Sequence, residues 1–456
     1  MALSSHQRIR TVPGSCWTCK NRRILCDLTK PVCRRCIGVG SSCQYSQVTL
    51  KRPLRLVPHV PAAFQPIAFP AGLSSTLEEK AFSYFHRRLW PLLTAVDDQI
   101  TFPLDPVINN QVVRVVICLL AESHRFLQDR RNNPPDTVRK RRECIEAVNK
   151  EIDRCSSDIN ANMQPLLFAI LLLYFYEGYI ECPWWSHSTL IHQNGIQATI
   201  TRMGGLQRVL KSGHTSLHVL LSLFATAELT TRMLRGGVPS ISPRSWRLFS
   251  PGPAWWREHL PDNTPSSEPC LGNIMEYMSD IVCYRQFLID NEALPSTEVI
   301  NGFERALQPS FAPFGLVETV SQESSTESLL ISHYAFLRAY QHTAYIFLYR
   351  GVCSLPTTHP LVQQHVDACL DAIDMVSRSS KAVNCLVFPL CVAGSHVQTL
   401  QRQRHILKVL FDIQNTIKFA SLQQIIQFLE SCWKIEIVDS SWLEVFISLN
   451  SNIISF

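Results

Sequence analysis

The chain has 456 residues, 46% of them hydrophobic and 18% charged, with a formal net charge of +6. That balance belongs to a globular protein and excludes a disordered one. The most apolar run, residues 166–176 (LLFAILLLYFY), is eleven residues long, well short of the roughly 20 a membrane helix needs, and reads as a buried helix. The excess positive charge is confined to the N-terminus. Residues 1–55 hold eleven Lys/Arg and one acid, a formal balance of +10, so residues 56–456 carry −4. A compact basic region of this kind is the electrostatic footprint of a polyanion binder.

The first element in chain order lies inside that region. Cys16, Cys19, Cys26, Cys33, Cys36 and Cys43 fall within 28 residues with the spacing C-x2-C-x6-C-x6-C-x2-C-x6-C, the same unit occurring twice. Zinc takes four ligands in a tetrahedron, and thiolate sulfur suits it. Six thiolates cannot give two ions four private ligands each, so two cysteines must be shared. The repeat suggests its first members, Cys16 and Cys33. Disulfides are the alternative, as in small secreted domains. Residues 1–11, however, are polar and basic without the apolar stretch of a signal peptide, and the chain has no N-x-[ST] sequon. RING or LIM sites need eight ligands, and there is no His between Cys16 and Cys43. Six thiolates and two Zn2+ would leave about +8 on the loaded module.

Lys20, Arg22 and Arg23 follow Cys19 directly. A short helix pinned by zinc at Cys19 and Cys26 would project several of these cations from one end, and Arg and Lys are the usual readers of guanine in the major groove. Lys51 and Arg52 are further candidate DNA contacts, on phosphate. A solvated charge run or a nuclear import signal is the competing reading.

The stretch CWTCKNRRILCDLTKPVCRRCIGVGSSC resembles the fungal Zn2Cys6 binuclear-cluster transcription factors. That resemblance implies two Zn2+ sharing six Cys thiolates, one ion on Cys16, Cys19, Cys26 and Cys33, the other on Cys16, Cys33, Cys36 and Cys43. It implies that Lys20, Arg22 and Arg23 lie on a helix reading a CGG-type half-site in double-stranded DNA, with Arg23 touching bases. Pro31 matches the family's loop proline. Leu25 departs from the family, which usually carries Lys or Arg just before the third cysteine; the missing cation removes a phosphate contact.

Residues 44–75 read as a linker, because Pro53, Pro58, Pro61, Pro66 and Pro70 rule out a continuous helix. No coiled coil is evident there, so dimerisation by a zipper is not supported, while a homodimer through the larger domain stays open. The first helical pattern starts near Thr76 with Leu77, Ala81, Phe82, Phe85 and Leu89 on one face, and Pro91 limits its reach. Helical spacing then recurs over 111–128, 138–155, 164–180, 187–203, 215–235, 272–290, 327–350, 360–377, 402–419 and 421–434. The expected fold is all-α: a small N-terminal Zn2Cys6 cluster (10–48), a Pro-rich linker (49–75) and a large multi-helix domain (76–446).

That domain is similar to the helical fungal-specific transcription factor domain that accompanies such clusters. Trp185, His187, Gly195 and Gly204-Gly205 resemble its "W..H..G...L...GG" stretch. Tyr349-Arg350-Gly351, Leu355-Pro356 and His359-Pro360-Leu361 resemble its "YR…LP…HPLV" helix junction, and Phe388-Pro389-Leu390 to Gly394 its "WPL..AG". The resemblance implies a regulator of RNA polymerase II transcription in the nucleus, pathway-specific in fungal metabolism, with transcription machinery or coregulators as partners and no membrane. A zinc-cluster protein-interaction regulator without sequence-specific DNA binding is the alternative.

Other features have plain readings. No G-x-S-x-G, H-E-x-x-H, P-loop or G-x-G-x-x-G occurs, and an enzyme is not expected. The eleven remaining cysteines lack metal spacing and suit a core. His187 and His192, five apart on a helix, do not form a metal pair. Arg139, Lys140, Arg141 and Arg142 read as a solvated face, with a second import signal as alternative. The acidic, serine-rich stretch 318–327 reads as a surface loop.

Overall fold

The helices follow from the periodicity. In this computed structural model, which describes residues 15, 16, 18, 19, 22, 24–30, 32–43, 76–94, 110–129, 137–158, 161–182, 188–249, 254–256, 270–308, 324–378, 380–434 and 443–444, every regular element is helical. The chain divides into two units, Met1–Ala68 and Phe69–Phe456. The linker and the candidate contacts Lys51 and Arg52 lie outside the described residues, as do Trp185 and His187.

In the first unit the regular element is a single turn, α1 (Arg34–Ile37), capped by Cys33. The second unit runs α2 (Thr76–Tyr84), α3 (Trp90–Thr94), α4 (Gln111–Asp129), α5 (Thr137–Ser157), α6 (Gln164–Phe175), α7 (Ser188–Arg202) and α8 (Leu206–Ser212). It continues with α9 (Thr215–Arg235), α10 (Leu271–Asp290), α11 (Thr297–Ala306), α12 (Ser324–Phe347) and α13 (Pro360–Met375). Last come α14 (Val387–Gly394), α15 (Leu400–Ile417) and α16 (Ser421–Lys434). All ten helical patterns from residue 111 onward coincide with helices. The 3-10 turns Pro243–Leu248 and Lys381–Leu386 complete the set.

The core is built on helices with no wet face. In α6 every residue from Leu166 to Phe175 is buried, and α14 is buried from Val387 to Gly394. The apolar run at 166–176 is thus an interior helix, as its length requires. Helix α9 packs beside α6 and buries Ser222, Thr226 and Thr230 as well as its aliphatics. Those hydroxyls are satisfied by their own helix: Ser222 donates to Val219 O at 2.7 Å, Thr226 to Ser222 O at 3.0 Å and Thr230 to Ala227 O at 3.1 Å. Trp255 then docks on them, its indole N–H donating to Thr226 Oγ1 at 3.0 Å. Amphipathic α4, α5, α15 and α16 surround this centre, with α4 against α5 and α6, and α16 against α14 and α15.

Three helices end in a wider π turn: Phe85–Leu89, Tyr176–Glu181 and Leu348–Val352. The first corrects the expectation at Pro91. Trp90 N–H bonds back to Phe85 O, five residues away, and the chain continues as α3 through Pro91. A helix that has already shifted its hydrogen-bond register absorbs the missing N–H. The stretch 318–327 also departs from a plain loop, since α12 begins at Ser324; residues 318–323 lie outside the described residues.

The quoted family stretches have local physical reasons. Gly204 and Gly205 end α7 at φ of 91° and 93°, a region L side chains avoid. At the 349–361 junction, the buried Arg350 guanidinium donates to Leu355 O, Leu355 N–H donates to Tyr349 O at 2.9 Å, and His359 caps α13 ahead of Pro360 at its first position.

The minor readings resolve as follows. All seventeen cysteines are free. Of the eleven outside the cluster, seven are buried and four half-buried, as core residues. His192 sits against buried Glu177 at 3.4 Å. In the basic run, Arg139 pairs with Glu143 at 2.8 Å, Lys140 with Glu122, and Arg141 with Glu177 at 2.8 Å. Three of its four cations are therefore engaged within a helical surface, which disfavours an import signal there.

Candidate metal centre

The N-terminal module has almost nothing to fold around except sulfur. Its buried cluster consists of Cys16, Cys19, Cys26, Cys33 and Cys36, with Ile24, Val32 and Cys43 packed against it. Sulfurs of a disulfide stand about 2.05 Å apart. Here Cys16–Cys33 and Cys16–Cys36 are 3.8 Å, Cys19–Cys33 3.6 Å and Cys19–Cys36 3.9 Å. The disulfide alternative is thereby set aside. Zn–S bonds of about 2.3 Å in a tetrahedron put sulfurs roughly 3.8 Å apart, the spacing seen.

The sulfurs form two groups of four, each within 4.8 Å: Cys16, Cys19, Cys26 and Cys33, and Cys16, Cys33, Cys36 and Cys43. Cys16 and Cys33 belong to both, so the donor set fits two zinc ions with two shared thiolates. The Cys19–Cys36 approach joins sulfurs private to different groups, which reflects how closely the two groups abut.

The sequence repeat is a structural one. Cys19 N–H donates to Cys16 Sγ at 3.3 Å, and seventeen residues on Cys36 N–H donates to Cys33 Sγ at 3.4 Å. Burial pushes the Cys16 thiol up, but the Cys19 amide and neighbouring sulfurs outweigh it and hold the thiol below its usual value. Cys33 shows the same opposition with Cys36. Backbone donors thus favour the thiolate, the form zinc takes, at the two shared sulfurs.

Thr18 and Cys19 begin a helical turn, in which Arg22 N–H bonds to Thr18 O at 3.1 Å. Arg22 is exposed on that turn; Lys20 and Arg23, the other expected base contacts, lie outside the described residues. Lys30, Arg34 and Arg35 are exposed as well. Asp27, the only acid in residues 1–55, accepts Arg34 N–H at 2.9 Å and Thr29 N–H at 3.2 Å. It thereby braces the start of α1. Sequence reasoning counted Asp27 only as a charge; its place six residues before the second C-x2-C was the available signal. The Thr18 hydroxyl to Ser42 O bond at 2.6 Å, which ties the two repeats, had no signal at all. Leu25 is 55% exposed where the family carries a cation.

No helix among the described residues is long and apolar enough to cross a membrane. Searches of curated proteins and of solved structures return no match. Family models do match: the fungal Zn(2)-Cys(6) binuclear cluster domain over residues 14–52 and the fungal specific transcription factor domain over residues 73–456. With a zinc-binding cluster at its N-terminus and helices over most of the other described residues, the chain belongs to the fungal specific transcription factor family and is a transcription regulator, a non-enzymatic role.

Proposed function

We propose that the protein is a zinc-dependent, sequence-specific DNA-binding regulator of RNA polymerase II transcription in the nucleus, reading CGG-type half-sites and serving one metabolic pathway. The observation that carries this is the pair of four-sulfur groups meeting at Cys16 and Cys33. In this reading Cys16, Cys19, Cys26, Cys33, Cys36 and Cys43 hold two zinc ions. Lys20, Arg22 and Arg23 face bases and nearby phosphates, and Lys51 and Arg52 hold phosphate. Residues 10–48 form the DNA-binding domain, 49–75 the linker and 76–446 the regulatory domain, which contacts transcription machinery or coregulators. Zinc supplies the fold of the module; the contacts come from its cations. The formal balance of +10 over residues 1–55, with Asp27 the one acid, supports the reading.

The test is selection from random DNA by the full-length, zinc-loaded chain at about 0.15 M salt, with a chelated control. Enrichment of a CGG-type triplet only with zinc is expected, and its single or paired occurrence reports dimerisation. Arg23→Ala should then cost about 1–3 kcal/mol on the selected site and relax its sequence, whereas Lys51→Ala weakens all sequences alike. Equal losses on selected and scrambled DNA for both variants would remove the base-reading role from Arg23.

A second reading, a zinc-cluster interaction module blind to DNA sequence, draws on the module's aliphatic surface. Leu25, Leu28, Ile37 and Val39 are 55%, 40%, 63% and 53% exposed. Zinc binding without enrichment of any sequence would favour it.

A further inference from the structure

Helix α5 (Thr137–Ser157) has two apolar stripes, and the fold uses one. Cys144, Val148 and Cys155 are buried, and the Cys144 thiol donates to Val115 O of α4 at 3.3 Å. Val138, Ile145 and Ile152 form the other stripe and are 73%, 43% and 40% exposed. They recur every seven residues, about 20° short of two full turns, so the three make one row roughly 21 Å long. Among the described helices no other carries three exposed large aliphatics. An apolar row of this kind on a surface marks an interaction site.

The row has a charged border, and the border is complementary to itself. At about 100° per residue from Ile145, Val148 and Cys144 lie on the inward flank, while Arg142 and Glu146 lie about 60° and 100° round on the outward one. Both are exposed, and neither side chain has a partner among the described residues, whereas Arg139, Lys140 and Arg141 of the same basic run are engaged. Arg142 stands three residues before Ile145 and Glu146 one after it. With a second α5 turned end over end about Ile145, Glu146 of that copy arrives within about 3 Å of Arg142 along the axis, on the same flank. The contact then occurs twice, as a two-fold interface requires. A parallel pair would set this border against Arg141 and Val148, the first held by Glu177 and the second buried.

We propose that α5 is a self-association surface that pairs antiparallel with α5 of a second copy of this chain. Ile145 meets Ile145 on the two-fold axis, Val138 meets Ile152, and Arg142 pairs with Glu146 on each side. One helix pair is a small interface, so the dimer forms in the micromolar range, at about 10 µM. The surface shares no residue with the cysteine cluster or its cations, so the proposal stands apart from the DNA-binding reading.

The experiment is sedimentation equilibrium of the full-length, zinc-loaded protein without DNA, from about 1 to about 100 µM. A monomer–dimer equilibrium is expected. Ile145→Asp should weaken it at least about tenfold with the thermal midpoint unchanged, because Ile145 is half exposed in the single chain. Arg142→Glu and Glu146→Arg should each weaken it about tenfold, since two attractive pairs become repulsive. An equimolar mixture of those two variants should associate as the wild type does, and so should the chain carrying both changes, because every facing pair is again of opposite sign. These charge exchanges lie on exposed residues and serve equally if Ile145→Asp fails to fold. A chain that stays monomeric at the highest concentration would overturn the proposal and give the face to a different protein. A dimer indifferent to Ile145→Asp and to Arg142→Glu would show that association occurs elsewhere, and a mixture that fails to recover would remove the antiparallel pairing.

Discussion

His124 shows how one side chain in this fold can set a pH response. It is fully buried, with Nε2 2.7 Å from Ile417 O and Nδ1 3.0 Å from the Tyr84 hydroxyl. The carbonyl can only accept, so Nε2 carries the proton and Nδ1 accepts from the tyrosine. The neutral ring thereby joins α2, α4 and α15. Burial, opposed in part by the Ile417 carbonyl, lowers its pKa to about 4. Between about pH 6.5 and 4 the unfolded chain takes a proton here that the folded chain refuses. Stability is then full above pH 6.5 and falls as the pH drops, by up to about 1.4 kcal/mol per unit from this group. His365 and His396 shift in the same direction, to about 4 and about 3, both chiefly through burial. His124→Phe should cost about 1–3 kcal/mol at pH 7, because the Tyr84 hydroxyl and the Ile417 carbonyl lose their partner. It should also flatten the acid limb in urea unfolding measured from pH 4 to 7. An unchanged slope would show that His124 is not one of the titrating groups. Arg141 makes a related case, as the partner of Glu177, whose side chain is only 3% exposed. Arg141→Ala should destabilise by about 3 kcal/mol by stranding that carboxylate, and a loss within the error of urea midpoints would mean that water or His192 replaces it.

Elements differ in how far their sequence foretells them, and the reason is where their polar residues fall. Helices α4, α5, α15 and α16 have one wet face, so a 3.6-residue period is written into them. Helix α14 is apolar throughout and too short to be told from a strand by period, and it was missed. Helices α8 and α11 were missed for other reasons: α8 has seven residues, and α11 has ten, with Gly302 inside and no buried residue. The π turn before Pro91 depends on hydrogen-bond register, which composition does not encode. In the cluster, metal geometry is local, so the spacing alone suggests the shared pair Cys16 and Cys33, while the two sets of four come from the family resemblance. A cleft of the helical unit lined by Leu92, Lys381 and Ile413 was not legible, because Leu92 is far in sequence from the rest of that lining, residues 373–416. The shared position of Cys33 leads to a prediction at this scale. Cys33→Ala removes a sulfur from both four-sulfur groups, while Cys43→Ala removes one from a single group. Structural zinc contributes roughly 10–16 kcal/mol in finger peptides, far more than so small a module could otherwise supply. Cys33→Ala should therefore lose both ions by zinc analysis of the purified chain, and one retained ion at full affinity would contradict the sharing.

At the scale of the whole molecule the two units are stabilised by different chemistry. Among the described residues the first has a core of cysteines and no cluster of buried aliphatics, and its residues 1–55 carry the chain's net positive charge. The second has a continuous apolar core running from Ala81 to Leu443, which contains none of the six cluster cysteines. Removing zinc would take away the one core among the described residues of the first and nothing from the second. A strong chelator should then abolish DNA binding and the metal–thiolate absorbance. It should leave the helical circular dichroism and the main thermal transition nearly as they were. Readdition of zinc should restore binding, since ligand gain and folding are one event in such modules. The salt dependence belongs to the same unit: residues 56–456 carry a formal −4, so the slope of log affinity against log salt should be set by the cations of residues 1–55. Lys51→Ala and Arg52→Ala should each lower that slope by about one, whereas Arg139→Ala, on a helix of the second unit, should not move it. A main thermal transition that falls by many degrees on chelation would show that the helical unit depends on the cluster for its fold, and the separation of the two chemistries would be wrong.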